Sequence, residues 1–403
     1  MSGNSAQRPR GRPRRPARGE GERASSRLAE TPAECYADGV THHTVPGVVV
    51  NYTPAALRQY NGCPSLAILP DGDYVASHSL FGPAATNTDS FIHRSTDRGQ
   101  SWRRIATVHG QIWSKLFLHH GTLYLIGTDH CDRYGGRLNG RMVIRRSRDG
   151  GATWSDARDA ASGLLSDEEG YHTAAVAIVE HGGRIWKAME YAPTPDRKTW
   201  EAFVMSAPAD ADLLQRTSWT FSERLSHRWS QCQWIEGNMV VAPDGELWNV
   251  LRQDQDTSRF ARHAAERAVV VRVADGVSLT HSPDADQIVF PGANTKFTIN
   301  RDPVTGCYLA LVNPQDRPGR YRNRLVLSAS RDLRDWAIVH EVLFHPDPAA
   351  HAFQYVDWLI DGDDIVFLSR TAYEDGSGGA HRAHDANYTT FHRICRFRAF
   401  LRN

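Results

Sequence analysis

Ionisable and amide side chains recur at two kinds of position in this sequence, the openings and the ends of predicted strands. Arginine binds a planar carboxylate through two parallel hydrogen bonds, and lysine adds a point charge. Neutral histidine near pH 7 suits proton abstraction or donation. These residue types together predict a site for an acidic sugar. The candidates at these positions are His78, His172, Glu190, Glu236, Asn238, Arg252, Lys296 and Arg370.

We predict different roles for these side chains. The residues that would hold the sugar carboxylate are Arg252, Lys296 and Arg370. The residues that would move the proton are His172 and, as its partner, His78 or Tyr388. Further candidates for substrate binding are Asn238, Glu190 and His384. The alternative for each residue is a purely structural role. A histidine can form hydrogen bonds with neighbouring backbone groups, and Arg252 and Glu236 can form a salt bridge with each other.

A glycine-rich stretch, EDGSGGAHRAHDANY, runs from Glu374 to Tyr388 after the last predicted strand pair. Its His381, His384 and Tyr388 would form a mobile lid over the pocket. The alternative is an ordinary surface loop without a catalytic role.

One structural unit recurs from about Gly39 to the C-terminus. Each unit has an apolar strand, a short turn bearing Gly or Pro, a returning strand and a third strand of alternating pattern. Turns such as ILPDGD and APDGE recur about every 50 to 65 residues, a period typical of propeller blades. We count six units and predict an all-β, six-bladed β-propeller of four-stranded antiparallel blades, with seven blades as the alternative. Val48–Tyr52 would supply the outer strand that closes the last blade.

A Ser-x-Asp-x-Gly-x-x-Trp motif occurs in full at Ser95–Trp102 and Ser147–Trp154, and a damaged copy ends at Trp336. It falls between the third and fourth strands of a unit. In such a turn Asp accepts backbone N–H bonds, Gly takes the left-handed conformation and Trp packs between blades. We therefore predict that the motif stabilises the fold and is not the active site.

The bulk properties narrow the class of protein. The 403 residues carry a formal charge of +1 and are 40% hydrophobic, so we expect neither a nucleic-acid nor a membrane partner. No run of about 18 apolar residues occurs, so a transmembrane helix is not expected. Residues 1–35 are rich in Arg, Pro and Gly and predict a disordered tail, whereas residues 39–403 predict one propeller domain. Without a recognisable export signal the expected location is cytoplasmic, and the oligomeric state stays open.

Metal and cofactor sites are not expected either. The six cysteines form no C-x-x-C pair. The pair His119–His120 could attract a metal, but adjacent strand residues point to opposite faces and offer a site only one ligand. We therefore predict no bound metal and no cofactor.

The motif copies STDRGQSW and SRDGGATW resemble the Asp-box, or BNR repeat, of the sialidase (neuraminidase) superfamily, whose members are six-bladed propellers. The resemblance covers the chain from about Gly39. By this similarity EGNMVVAPDGELWNVLR implies that Glu236 supports a nucleophile and that Arg252 binds a carboxylate. Two positions depart from the family. Gly62 stands where the first-blade arginine is expected, and Phe353 stands where the tyrosine nucleophile is expected, with Tyr355 two residues further on.

A second resemblance concerns PSLAILPDGDYVASHSLFGP, GYHTAAVAIVEHGGRIWKAME and HDANYTTFHRI. These stretches look like the propellers that cleave rhamnosyl-glucuronate linkages, as hydrolases or as ulvan-type lyases. Those enzymes use His, Tyr and Arg around a uronate, and one such family uses the other propeller face.

The function predicted from these observations is cleavage of a terminal glycosidic or uronate-linked bond in an acidic glycan. Hydrolysis and β-elimination both need the carboxylate to be held, so glycoside hydrolase and polysaccharide lyase stay open. The alternative is a propeller that binds a glycan or another acidic ligand without turnover.

Overall fold

A computed structural model of the chain describes residues 45–131, 138–195, 199–226, 233–254, 266–315 and 320–401. The predicted tail, residues 1–35, and the predicted start of the domain at residue 39 lie outside these ranges. Within them, no helix has the length and apolar character needed to cross a membrane.

The regular secondary structure of the described residues is almost entirely strand. The strands of the first half of the chain are β1 (Val48–Tyr52), β2 (Tyr60–Ile68), β3 (Tyr74–Phe81), β4 (Asp89–Ser95), β5 (Arg103–His109), β6 (Ile112–His119), β7 (Thr122–Thr128), β8 (Met142–Ser147), β9 (Tyr171–His172), β10 (Ile178–His181), β11 (Arg184–Tyr191), β12 (Glu201–Pro208) and β13 (Thr220–Phe221). The strands of the second half are β14 (Leu225–Ser226), β15 (Gln233–Val241), β16 (Leu247–Asp254), β17 (Arg267–Val273), β18 (Leu279–Thr280), β19 (Gln287–Val289), β20 (Thr298–Arg301), β21 (Tyr308–Val312), β22 (Arg324–Ser330), β23 (Ala337–Phe344), β24 (Ala352–Asp361), β25 (Asp364–Ala372) and β26 (Tyr388–Ile394). Short 3₁₀ helices cover Ala55–Leu57, Arg216–Ser218 and Phe397–Leu401.

These strands form six antiparallel sheets, which confirms the six-bladed propeller. Strands β2–β5 form blade 1, β6–β8 blade 2, β9–β14 blade 3, β15–β19 blade 4 and β20–β23 blade 5. Blade 6 consists of β24–β26 with β1 at its outer edge. Among the described residues, the fourth position of blade 2 is an isolated bridge between Val143 and Leu164.

The ring closes as the sequence predicts. Strand β1 pairs antiparallel with β26, from Val48 opposite Phe391 to Tyr52 opposite Tyr388. The first described strand thus completes the last blade, so the two ends of the propeller are joined by backbone hydrogen bonds.

The hydrophobic core is divided among the six junctions between neighbouring blades. At the junction of blades 6 and 1, Leu66 and Tyr74 pack against Leu368 and Phe391. Corresponding clusters fill the other five junctions. Each fully buried large apolar side chain contributes roughly 1.5–3 kcal/mol, so the blades are stabilised mainly by their neighbours.

The repeated motif forms the turn that its spacing predicts. Asp149 accepts hydrogen bonds from Ser147 Oγ at 2.8 Å and from the Thr153 amide at 2.9 Å, and Gly151 has φ 96°. The third copy is one residue shorter, and there Leu333 adopts the left-handed conformation at φ 64°. The indole of Trp336 donates to the Leu333 carbonyl, as Trp154 does to Gly151. In all three places the motif stabilises a turn.

Polar side chains also link the innermost strands. Asp357 of blade 6 accepts hydrogen bonds from Ser65 Oγ at 2.7 Å and the Leu66 amide at 2.9 Å in blade 1. The same carboxylate contacts Lys115 Nζ of blade 2 at 2.7 Å from both oxygens. Asn238 of blade 4 accepts from the Ile299 amide of blade 5 at 3.1 Å. We call this group of buried polar side chains around the axis the hub.

Candidate active site

Four of the six innermost strands contain a β-bulge at equivalent positions, where the pairing register shifts. Each bulge places one residue other than glycine at positive φ: Cys63 at 44°, Trp113 at 52°, Glu236 at 57° and Tyr355 at 54°. A bulge re-aims a side chain, and such backbone conformations cost about 1–3 kcal/mol each and cluster at functional sites. The bulged face of the ring is therefore the candidate site.

Two of these bulged residues meet at one guanidinium group. Arg252 Nη1 lies 2.7 Å from Glu236 Oε2 and 3.4 Å from the Tyr355 hydroxyl. Arg252 and Glu236 are both buried. Burial alone would raise the pKa of the Glu236 carboxyl, but Arg252 and His172 outweigh it and the net shift is downward. Glu236 is thus an anion beside a tyrosine hydroxyl.

Two further arginines face the same phenol ring. The guanidinium carbon of Arg322 lies 5.7 Å from the Tyr355 ring centroid, and that of Arg370 lies 4.7 Å from it. Arg370 also lies 4.3 Å above the Phe81 ring, and one of its N–H groups donates to the His384 carbonyl. Arg252, Arg322 and Arg370 are the arginine cluster of this site.

Arg322 differs from Arg252 in having no acidic partner among the described residues. Among the described residues, no carboxylate lies within salt-bridge distance of Arg322, and its buried Nε has no hydrogen-bond partner. Burial lowers the pKa of this guanidinium to about 9, and the neighbouring Arg252 and Arg370 add to the effect. A buried cation without a counter-ion is costly, so the site is suited to an anionic ligand.

A second carboxylate stands beside Glu236. Glu190 Oε2 lies 3.2 Å from His172 Nδ1, and Glu190 Oε1 accepts the Gly237 amide at 2.9 Å. The Trp200 ring meets the His172 ring edge to face with centroids 5.0 Å apart. His172, Glu190 and Glu236 are therefore brought together, in line with their selection from the sequence.

Two predicted ligands belong to the hub. Lys296 Nζ donates to Thr298 Oγ1 at 2.7 Å and to the Val356 carbonyl at 2.6 Å, and burial lowers its pKa to about 8. The Asn238 amide group donates to the Glu236 and Phe297 carbonyls. Both side chains thus have internal partners that link blades.

Two predicted acid/base residues lie elsewhere. His78 contacts the rings of Phe91 and His93 within blade 1, and burial holds its pKa well below the usual value. Tyr388 is buried against the Tyr52 ring, with centroids 4.9 Å apart, and burial raises its pKa to about 12.

His384 lies in the glycine-rich loop, close to the arginine cluster. Its ring meets Phe81 edge to face at 5.5 Å, and its Nδ1 lies 2.9 Å from Asp385 Oδ1. Because its carbonyl accepts from Arg370, this part of the loop touches the arginine cluster.

The two departures from the sialidase pattern have a structural explanation. Gly62 cannot carry a side chain, because a Cβ atom there would lie 2.8 Å from the rings of Phe81 and Trp113. Phe353 is buried in the core between blades 5 and 6. The bulge after Gln354 instead places the Tyr355 hydroxyl 3.4 Å from Arg252 Nη1.

Arg322 and Tyr355 are the residues that the sequence analysis did not select. Tyr355 stood out only as a neighbour of Phe353. Arg322 belongs to GRYRNRL, three arginines just before a third strand, and this density of charge was the available signal.

No protein-family model matches this sequence, and no curated protein sequence matches it. Solved structures do. The α-L-arabinofuranosidase Arb93A of Fusarium graminearum, with an iminosugar inhibitor, is 13% identical with a TM-score of 0.58 and coverage of 90% of this chain and 100% of that chain. The α-L-arabinanase of Penicillium chrysogenum, with arabinobiose, is 14% identical with a TM-score of 0.54 and coverage of 87% and 98%. The Trypanosoma rangeli sialidase, with sialic acid, is 15% identical with a TM-score of 0.57 and coverage of 90% and 59%. At this identity the likeness shows a shared fold, the six-bladed β-propeller.

Proposed function

We propose that this protein is a glycoside hydrolase that cleaves a terminal acidic sugar, whose carboxylate is held by Arg252, Arg322 and Arg370. The observation that carries the proposal is the convergence of three buried guanidinium groups on one tyrosine, with Arg322 lacking an acidic partner among the described residues. Guanidinium groups bind carboxylates through paired, charge-assisted hydrogen bonds. The glycoside hydrolases that share the fold lend the proposal general support.

In the proposed mechanism Tyr355 is the nucleophile. Tyrosine performs this role in sialidases, forming a covalent glycosyl-enzyme intermediate. Glu236 and Tyr355 share the Arg252 guanidinium, so Glu236 would accept the phenol proton as the oxygen attacks the anomeric carbon. Arg252 would then stabilise the resulting charges.

His172 and Glu190 would serve the leaving group. Glu190 orients the imidazole through Nδ1, which leaves Nε2 to exchange a proton with the glycosidic oxygen. The same pair would then activate the water that releases the sugar from Tyr355.

The test compares the partly exposed Tyr355 with the buried Tyr388. Purified protein is incubated with sialyl-lactose, arabinogalactan and ulvan, and reducing ends are measured. We expect Tyr355→Phe to lower kcat by about 10³-fold or more, since the nucleophile is lost. Tyr388→Phe, the tyrosine favoured by the sequence, should retain activity. Loss of activity in Tyr388→Phe alone would contradict the proposed mechanism.

The same assay separates the alternatives. Elimination at a uronate, as in the rhamnosyl-glucuronate-cleaving propellers, gives an unsaturated product that absorbs in the ultraviolet and needs no covalent intermediate. Affinity for an acidic glycan without product, unchanged in Tyr355→Phe, would instead indicate a binding protein.

A further inference from the structure

A loop between blades 5 and 6 meets a loop of blade 6 on the surface beside the arginine cluster. One connects β23 to β24, and the other follows β25 and contains the glycine-rich stretch. The Ala383 amide donates to the Ala349 carbonyl at 2.6 Å, and His351 Nε2 lies 2.8 Å from Glu374 Oε1. The first loop also adjoins Arg322, because the neighbouring Asn323 donates to the His345 carbonyl at 2.6 Å.

His351 is buried between two carboxylates. Its Nδ1 lies 3.0 Å from Asp347 Oδ2, and its Nε2 lies 2.8 Å from Glu374 Oε1. A neutral imidazole has one N–H, so if Nδ1 donates to Asp347 then the Nε2 lone pair faces a carboxylate oxygen. Nε2 is buried without a hydrogen-bond partner among the described residues, so Nε2 and Glu374 Oε1 are adjacent atoms that a cation could join.

His345 supplies a third ligand atom at the same place. Its ring stacks on that of His351 with centroids 3.5 Å apart, and its Nε2 lies 4.0 Å from Glu374 Oε1. The three candidate ligand atoms all lie within 4.8 Å of one another. Ligands of a tetrahedral zinc at about 2.0–2.1 Å are roughly 3.3 Å apart, so the candidate atoms must move closer and one imidazole must rotate out of the stack to bind a common ion.

We propose that His345, His351 and Glu374 bind a divalent cation of the zinc class, with Asp347 orienting His351. Two histidines and a carboxylate are a ligand set that zinc prefers, and a carboxylate on the far nitrogen of a ligating histidine is the usual second partner. Glu374 is more than half exposed, which leaves access for the ion and for water as a fourth ligand.

The bound ion would fasten the glycine-rich loop at its first residue. Later residues of this loop contact the arginine cluster through the His384 carbonyl and blade 1 through His381, which lies 3.2 Å from the Tyr60 hydroxyl. The inference is independent of the proposed glycosidase activity, because it concerns only the position of the loop.

A second histidine pair provides a matched control. His119 and His120 stack at 3.9 Å, and His119 Nδ1 lies 3.7 Å from Glu180 Oε2. The expectation that this pair offers one ligand is wrong, because His120 lies in the turn at φ 47° rather than on the strand. However, His119 Nε2 is already 2.6 Å from the Ala209 carbonyl, so this is the weaker candidate.

The experiment measures zinc binding to the full chain after chelator treatment, by equilibrium dialysis with metal analysis. We expect about one tightly bound zinc in the parent protein and in Glu180→Gln. Glu374→Gln and His345→Gln should bind at least about tenfold more weakly, and Asp347→Asn about tenfold more weakly. Cobalt in place of zinc should give the visible absorption of a tetrahedral site.

Three results would overturn the proposal: no bound zinc in the parent, unchanged binding in both Glu374→Gln and His345→Gln, or loss of binding in Glu180→Gln. Glu374 is at the surface, so Glu374→Gln keeps the test valid if a histidine variant fails to fold. Proteolysis within the loop gives an independent readout, and zinc should slow it in the parent but not in Glu374→Gln.

Discussion

Arg252 and Arg322 lie in one cluster but differ in whether a carboxylate balances their charge. The charge of Arg252 is matched by Glu236 at 2.7 Å, so this pair persists without a ligand. Arg322 is buried beside other cations and has no carboxylate among the described residues within salt-bridge distance. Its burial opposes folding, and a bound anion would offset that cost.

Arg322→Met should therefore separate stability from binding. We expect the free energy of unfolding to stay level or rise, because an uncompensated buried charge is removed and the apolar stem is retained. The kcat/KM for an acidic substrate should fall by roughly 30-fold or more, since a lost charge-assisted contact costs about 2 kcal/mol or more. Denaturant unfolding and initial rates measure the two quantities.

The control for this prediction is Arg324→Met. Arg324 forms a surface ion pair with Glu341 at 2.6 Å, which contributes at most about 1 kcal/mol and lies outside the cluster. If Arg322→Met lost stability and kept its kcat/KM, Arg322 would be a structural residue and the anion site would have to be sought elsewhere.

The blades could be predicted from the sequence because their signals are local. Hairpin turns and alternating strands lie within short windows, and even the closing strand Val48–Tyr52 was identified by the pattern. The register of Tyr355 could not be predicted in this way. Strict alternation places Phe353 and Tyr355 on one face, whereas the bulge after Gln354 buries the former in the core and directs the latter to the site.

The role of a side chain could also not be predicted where its partner lies in a blade distant in the sequence. Lys296 was selected for its charge, but its bonds go to Thr298 and Val356, and sequence spacing does not encode the second contact. Arg322 lies outside regular strands, in a connection that no periodicity marks. His172, Glu190 and Glu236 were found because strand ends converge in any propeller.

The Ser-x-Asp-x-Gly-x-x-Trp turn also packs against a neighbouring blade, and substitution of its glycines measures how tight that contact is. A Cβ atom at Gly99 would overlap the ring of Phe391 in blade 6, whereas one at Gly151 would lie 3.2 Å from Ile92. Both residues have positive φ, so alanine is strained at either place. We expect Gly151→Ala to cost about 1–2 kcal/mol and Gly99→Ala distinctly more, because Phe391 is packed among aromatic rings. Equal losses in thermal unfolding would show that the blade 6–blade 1 junction tolerates the extra atom.

At the scale of the whole ring, the hub contains three buried lysines with different surroundings. Lys115 is paired with Asp357, which also binds blade 1. Lys187 donates to Thr173 Oγ1 and to the Ala188 carbonyl, with no carboxylate among its hydrogen bonds in the described chain. Burial lowers the pKa of Lys187 to about 8; Glu190 and Cys63 oppose this shift, whereas the neighbouring Lys115 and Lys296 add to it.

Lys115 and Lys187 should differ in how much stability is lost when their charge is removed. Lys115→Met leaves the Asp357 carboxylate buried without its cation, which should cost about 3–5 kcal/mol. Lys187→Met removes a charge whose burial is itself unfavourable, so at pH 7 it should be much less damaging, although two hydrogen bonds are lost.

Because the folded pKa of Lys187 lies below the usual 10.5, the unfolded chain holds an extra proton between about pH 8 and pH 10.5. The parent therefore gains stability relative to Lys187→Met as pH rises through this window, by about 1 kcal/mol per pH unit. Unfolding measured from pH 7 to pH 10 checks both variants, and a constant gap between the parent and Lys187→Met would mean that this lysine stays charged inside the ring.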